Sequence, residues 1–168
     1  MILSLIRHIL AIVALPVTAA IFIPLWLARQ YVVSYNPPTR PGDTLLQILG
    51  AFLFIVGLVL FISTLYLFAT QGRGTLAPWD PPRHLVVRGP YRFVRNPMIS
   101  GVIFILFGEA LVFQSLPHAV WGVIFVAINW VYIPLLEEPQ LEARFGEPYQ
   151  RYRQQVPRFL PRLRPWKP

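Results

Sequence analysis

The chain contains no cysteine, so disulfides, thiolate metal sites, redox pairs and a cysteine nucleophile are all excluded. Charge is scarce: Asp, Glu, Lys and Arg make up 13% of the 168 residues, and only 7 residues are acidic against 15 basic. The three histidines, His8, His84 and His118, sit at the ends of apolar runs or in a loop. They never pair at metal-ligand spacing, which reads as solvated interfacial histidine with no metal expected. An HExxH zinc helix, a GxSxG elbow, a phosphate loop and a GxGxxG fingerprint are missing as well, so none of the common catalytic constellations is present.

What the chain has in quantity is apolar surface. At 55% apolar residues and a mean hydropathy of +0.54, it is too greasy for an ordinary soluble domain. Four runs are long enough to span a bilayer, at residues 9–27, 45–68, 99–116 and 119–136, and only Glu109 puts a formal charge inside any of them. These runs predict an all-α integral membrane bundle of four transmembrane helices, a single domain over residues 1–168. Pro16 and Pro24 should kink the first span. Arg7 before an apolar stretch and Thr18-Ala19-Ala20 also resemble a signal sequence, but the run continues to Leu27, which favours a retained anchor.

A net charge of +8 and a pI near 10.6 would suggest nucleic acid in a soluble protein. Here the arginines flank apolar runs, so topology and anionic membrane lipids account for them and no nucleic-acid partner is expected. With four spans, one face carries Arg7, then Arg73, Arg83, Arg88, Arg92 and Arg95, then Arg144, Arg151, Arg153, Arg158, Arg162, Arg164 and Lys167, while the other has Arg29 and Arg40. Basic residues resist translocation, so both termini and the middle loop are placed in the cytoplasm. The link near residues 115–118 is short enough only for a tight helical hairpin.

Two cytoplasmic stretches are left for function, a Gly-, Pro- and Arg-rich loop at 70–98 and a C-terminal segment at 137–168. In the second, Leu141, Phe145, Tyr149, Tyr152 and Val156 recur at near-helical spacing and predict one apolar, aromatic face. Gly146 and Pro148 should divide it into two short helices, with Pro148 opening the later one. Residues 158–168 alternate proline with basic residues and predict an extended tail on the membrane surface.

Each stretch carries a motif. The run Arg88-Gly89-Pro90-Tyr91-Arg92-Phe93-Val94-Arg95-Asn96-Pro97-Met98-Ile99-Ser100-Gly101 is similar to the GPYRxxRHPxYxG signature of the isoprenylcysteine carboxyl methyltransferase and phospholipid methyltransferase superfamily. After the last span, Glu137-Glu138-Pro139-Gln140-Leu141, Phe145-Gly146, Tyr149, Tyr152 and Val156-Pro157 resemble the family's EExxL...FGxxYxxYxxxVP block. The pair covers residues 88–157, about two fifths of the chain, in the expected order around a two-span hairpin.

The resemblance implies a membrane enzyme that draws S-adenosyl-L-methionine from the cytoplasm and methylates a lipophilic small molecule or lipid reached through the bilayer. Such a transfer is an in-line displacement that neutralises charge, so alignment and water exclusion matter more than a strong acid. Carried onto this sequence, the resemblance implies catalytic roles for Arg95 and Glu138 and cofactor contacts from Tyr91, Asn96, Pro97, Gly101, Glu137, Glu138, Tyr149 and Tyr152. Arg95, just before the third span, suits the cofactor carboxylate, Glu137 or Glu138 its ammonium, ribose or sulfonium, and the tyrosines its sulfonium and adenine.

Two positions depart from the pattern. Asn96 stands at the usual histidine and cannot serve as a base or cation, and Ile99 stands at the usual tyrosine and lacks the hydroxyl. Two other classes stay open: an NADPH-dependent reductase, since sterol reductases resemble the superfamily in their C-terminal half but have longer chains with more spans, and a non-catalytic membrane component. Simpler roles also remain beside the sharp ones. Arg88, Arg92 and Arg95 can enforce topology, Glu137 and Glu138 can favour a helix start, and Tyr149 and Tyr152 can simply pack. Glu109 reads as structural or interfacial, Asn129 as an interhelical hydrogen-bonding residue, and the pairs Gly50 with Gly57 and Gly101 with Gly108 as close helix packing.

Overall fold

All six α-helices among the described residues carry a proline at their first or second position. Where the helix starts afresh, as at Pro41, Pro97, Pro117 and Pro148, the missing N–H is one the helix leaves unpaired anyway, and the fixed φ suits the first turn. The computed structural model describes residues 13–72 and 84–167. Arg7, His8, the start of the first expected span, Arg73 and Arg83 lie outside them.

A π-helical stretch, Val13–Phe22, contains Pro16 and leads into α1, Ile23–Gln30. The next helix, α2, runs over Pro41–Leu67, with Asp43 accepting the Arg40 N–H at 3.1 Å at its start and a π turn, Phe68–Gly72, at its end. A 3-10 turn, Gly89–Arg92, precedes α3, Pro97–Val112. Then α4, Leu116–Tyr132, continues through a π turn, Ile133–Glu137, into α5, Glu138–Phe145, and α6 follows over Glu147–Gln155. The division at Gly146, which has φ +57, and the proline opening α6 are as expected.

Three expected boundaries move. The third apolar run ends its helix at Val112 rather than at residue 116, because Gln114 takes a φ of +49 and the chain turns there. The fourth starts earlier, at Leu116, and does not stop at residue 136. Its axis continues to Phe145, since the wider turn at Ile133–Glu137 absorbs Pro134 and Pro139 without breaking the helix. His118, expected to be solvated, is buried in the hairpin with Nδ1 2.8 Å from Ser115 Oγ.

Among the described residues, two helices are long and apolar enough to cross a membrane, Pro41–Leu67 and Leu116–Phe145, with mean hydropathies of 2.8 and 2.0. In each, only 11% of the most apolar window is buried within the protein. A soluble core helix would bury most of that surface. On α2 the exposed side chains Leu45, Ile48, Phe52, Ile55, Val59 and Ile62 form one stripe, while the buried positions are Gly50, Gly57 and Thr64. Small residues inside and large apolar ones outside is the pattern of a helix whose solvent is lipid.

The seam between α2 and α3 depends on the missing side chains. A Cβ on Gly57 would lie 2.6 Å from Gly101 O, and one on Gly50 2.8 Å from Gly108 O. The two glycine pairs therefore let antiparallel backbones touch, as their spacing predicted. Inside the bundle Ala20, Val102, Ile105 and Leu106 pack with Phe54, Phe61, Trp121 and Phe125. Trp121 Nε1 donates to Ala19 O at 2.9 Å and fastens the N-terminal helix to α4. A second cluster beyond the helix ends joins Tyr149, Tyr152 and Val156 to Leu85, Val87, Leu141, Phe145 and Trp166.

Candidate functional site

The site begins with a backbone clasp. Residues 158–168 are expected as an extended tail on the membrane surface; residues 157–167 are extended but folded back on the segment before α3. Arg95 N donates to Pro157 O at 2.9 Å, Arg162 N to Phe93 O at 3.0 Å and Trp166 N to Arg92 O at 2.9 Å. Arg92 Nε returns a bond to Trp166 O at 2.7 Å, and Phe159 stacks on Trp130 with ring centroids 5.3 Å apart. Prolines deny this strand regular structure of its own, and two of its backbone donors, Arg162 N and Trp166 N, are satisfied by the partner segment instead. Tyr152 locks the same joint from α6, donating to Tyr91 O at 2.7 Å.

Within this joint sits a charge cluster. The Glu138 residue is 2% exposed, and Arg158 grips its carboxylate at both oxygens, Nε to Oε1 at 2.7 Å and Nη2 to Oε2 at 3.0 Å. Arg153 Nε approaches Oε2 at 3.5 Å and Arg95 Nη1 approaches Oε1 at 3.0 Å. The last contact is an ion pair without a hydrogen bond, because Arg95 Nε and Nη1 are buried with no acceptor along their N–H directions. Arg95 thus lines a cavity with a 9% exposed side chain whose Nε and Nη1 are buried without an acceptor.

The cavity measures about 690 Å³, within the span of roughly 300–1,000 Å³ typical of small-molecule sites. Tyr91, Arg95, Asn96, Glu137, Tyr149 and Tyr152 line its polar end, with His84, Gln140 and Arg144. Ala19, Ile23, Val102, Trp121, Phe125 and Ile128 line the apolar end, between the N-terminal helix, α3 and α4. From Trp121 to Glu137 the α4 wall rises about 24 Å, so the chamber runs lengthwise from the charge cluster toward the middle of the bundle. Burial pushes the Tyr149 hydroxyl up to about 12; the Glu138 charge adds to this, and the charge and hydrogen bond of Arg95 oppose it. Desolvation raises Tyr152 and Tyr91 as well. All three therefore present neutral hydroxyls and aromatic faces.

Of the residues expected at a cofactor site, the structure brings Tyr91, Arg95, Asn96, Glu137, Tyr149 and Tyr152 onto one chamber and leaves three off its wall. Glu138 lies behind the wall, its oxygens taken up by arginines. Pro97 is buried in the first turn of α3. Gly101 faces α2, where a Cβ would meet Gly57 O at 2.9 Å, so its smallness serves packing and not a ligand. Asn96 Nδ2 points toward Arg158 O at 3.5 Å, and Ile99 adds an apolar side chain to the lining.

Asn129 also differs from expectation. Its amide donates to Phe125 O of its own helix at 2.8 Å, not across to a neighbour, and it lines the cavity. Sequence reasoning also missed Trp121, Phe125, Ile128 and Tyr132 as lining residues. Their spacing of three and four along α4 was a visible signal, but it fits a core stripe equally well.

No curated protein and no solved structure matches the chain. The family model described as phospholipid methyltransferase matches residues 45–148, more than half of the 168 residues, including α2 from Leu45 onward and all of α3, α4 and α5. With that match, and with two long apolar helices whose surfaces are mostly exposed, the chain belongs to the phospholipid methyltransferase family and is a membrane methyltransferase.

Proposed function

We propose that the protein transfers a methyl group from S-adenosyl-L-methionine, held at the polar end of the chamber, to a lipophilic or membrane-partitioned acceptor in the apolar end. The observation that carries this reading is the continuity of one cavity from a buried arginine to an apolar interior lined by α4. Residues of both sequence motifs line its polar end.

The residues present fit the donor. Arg95 lines the chamber and brings a guanidinium that suits a carboxylate, with its backbone N–H fixed on Pro157 O and its side chain ion-paired to Glu138. Glu137, one position before the arginine-bound Glu138, faces the chamber and suits an ammonium or ribose hydroxyls. Tyr91, Tyr149 and Tyr152 give neutral aromatic faces for a cation and a base. When bound, S-adenosyl-L-methionine supplies an electrophilic methyl carbon: the acceptor's electron pair forms the new bond as the carbon–sulfur bond breaks, leaving a neutral thioether.

The chain's own contribution is orientation and exclusion of water. Glu138 acts behind the wall as the anchor of Arg95 and Arg158, so its role is to position Arg95 rather than to touch the donor. Arg95 remains the catalytic candidate. Pro97 sets the start of α3 and thereby the position of Asn96 and Arg95. Residues 1–168 form one domain with four spans, in which the N-terminal helix and the short α3 are the additional crossings and both termini face the cytoplasm. The arginines gathered around the polar end, against Arg29 and Arg40 at the far end, support that orientation.

The acceptor is an isoprenylcysteine carboxylate-like compound, a phospholipid or a small thiol. Incubating the purified protein with methyl-labelled donor and extracted membrane lipids tests the reading. Label appearing in the organic phase, and lost with Arg95→Ala, supports it. Label that stays with the donor under all acceptors contradicts it.

A further inference from the structure

On the outer side of the clasp, away from the chamber, lies a smaller cleft lined by Val87, Arg88, Gly89, Arg92 and Lys167. Three of its five lining residues are cations and none is acidic. Arg92, which lines the cleft, donates Nε to Trp166 O at 2.7 Å, and this bond fixes its guanidinium. A fixed fork beside two further cations matches the geometry of a phosphate.

The strand that carries Lys167 shows a second property. Residues 157–167 hold Arg158, Arg162, Arg164 and Lys167 and no acidic residue. Yet Leu160 is 81% exposed and Leu163 100% exposed. Both leucines stand out from a strand that is fixed by backbone hydrogen bonds. Next to Phe159, which stacks on the outward-facing Trp130 of α4, they extend the lipid-facing surface of that helix past its end. Basic residues interleaved with exposed leucines fit an interface that is apolar below and anionic above.

We propose that this cleft binds the phosphate of an anionic phospholipid from the surrounding leaflet, with Leu160 and Leu163 seated among its acyl chains. The occupant is a lipid and not a free phosphate because one of the cleft's three cations, Lys167, belongs to the same strand as the bare leucines. The site also touches the chamber's frame. Arg92 and Trp166 join the cleft to Tyr152, whose ring lies 5.7 Å from that of Trp166 and whose hydroxyl holds the Tyr91 carbonyl. A bound lipid would therefore brace the wall of the chamber.

Trp166 is the reporter. The full chain is reconstituted in phosphatidylcholine vesicles containing either brominated phosphatidylglycerol or brominated phosphatidylcholine as quencher, with no methyl donor present. Quenching is compared with that of Trp166→Phe to isolate the signal. The account expects preferential quenching by phosphatidylglycerol. Arg88→Gln should weaken that preference about fivefold, with Lys167→Gln adding a similar factor, and Arg88→Lys should restore most of it.

Equal quenching by the two lipids, or a preference unchanged in the double variant with its helical content intact, would overturn the proposal. So would loss of the preference on adding inorganic phosphate at constant ionic strength, which would make free phosphate the ligand. No transfer reaction is read, so failure here and failure of the methyltransferase reading are separate results.

Discussion

Glu138 is a buried carboxylate whose compensation comes from three arginines on different segments, Arg95 before α3, Arg153 on α6 and Arg158 beyond it. Removing one partner from such a cluster leaves the others desolvated and unpaired. Glu138→Ala should therefore cost about 3–5 kcal/mol of stability, measured as loss of thermal stability in detergent, whereas Glu137→Ala should leave stability nearly unchanged and act on donor affinity. The reverse ranking would place the structural carboxylate wrongly. Tyr149 gives a pH test. Its folded-state value of about 12 lies above the ordinary 10.0, so between those values the unfolded chain has released a proton that the folded chain keeps. Stability is then fully present below pH 10 and falls as pH rises toward 12. Tyr149→Phe should flatten part of that fall, and identical curves for the two proteins would count against a buried hydroxyl.

At the scale of helices, the α2–α3 seam makes a sharp demand. Gly57→Ala places a methyl 2.6 Å from a backbone oxygen, a neighbour that cannot rotate away. A loss of about 1–3 kcal/mol is expected, while Gly42→Ala, with nothing within 4 Å, should be close to neutral. Equal melting temperatures for the two variants would refute the seam. The glycine spacing and the Gly146–Pro148 break were legible in the sequence because each rests on a local rule, close backbone approach or proline at a first turn. The clasp by residues 157–167 was not, since its hydrogen bonds join Arg92, Phe93 and Arg95 to residues more than sixty positions away. His118 and Asn129 were misplaced for a related reason. A polar side chain in an apolar run signals that a partner exists, without saying whether it is water, a neighbouring helix or the residue's own backbone. Gly101 carried two meanings at once, a motif position and a packing position, and the seam decided between them.

At the scale of the molecule, the exposed apolar stripes of α2 and α4 and the chamber between the N-terminal helix, α3 and α4 follow from one pattern, large apolar residues outside and small or aromatic ones inside. The claim that matters most is that the polar end of the chamber holds S-adenosyl-L-methionine. Calorimetric titration of that donor into detergent-purified protein tests it directly. The account predicts saturable binding at one site per chain, weakened roughly tenfold or more by Arg95→Ala, and no heat from NADPH. A silent titration with the methyl donor, or saturable binding of NADPH in its place, would contradict it.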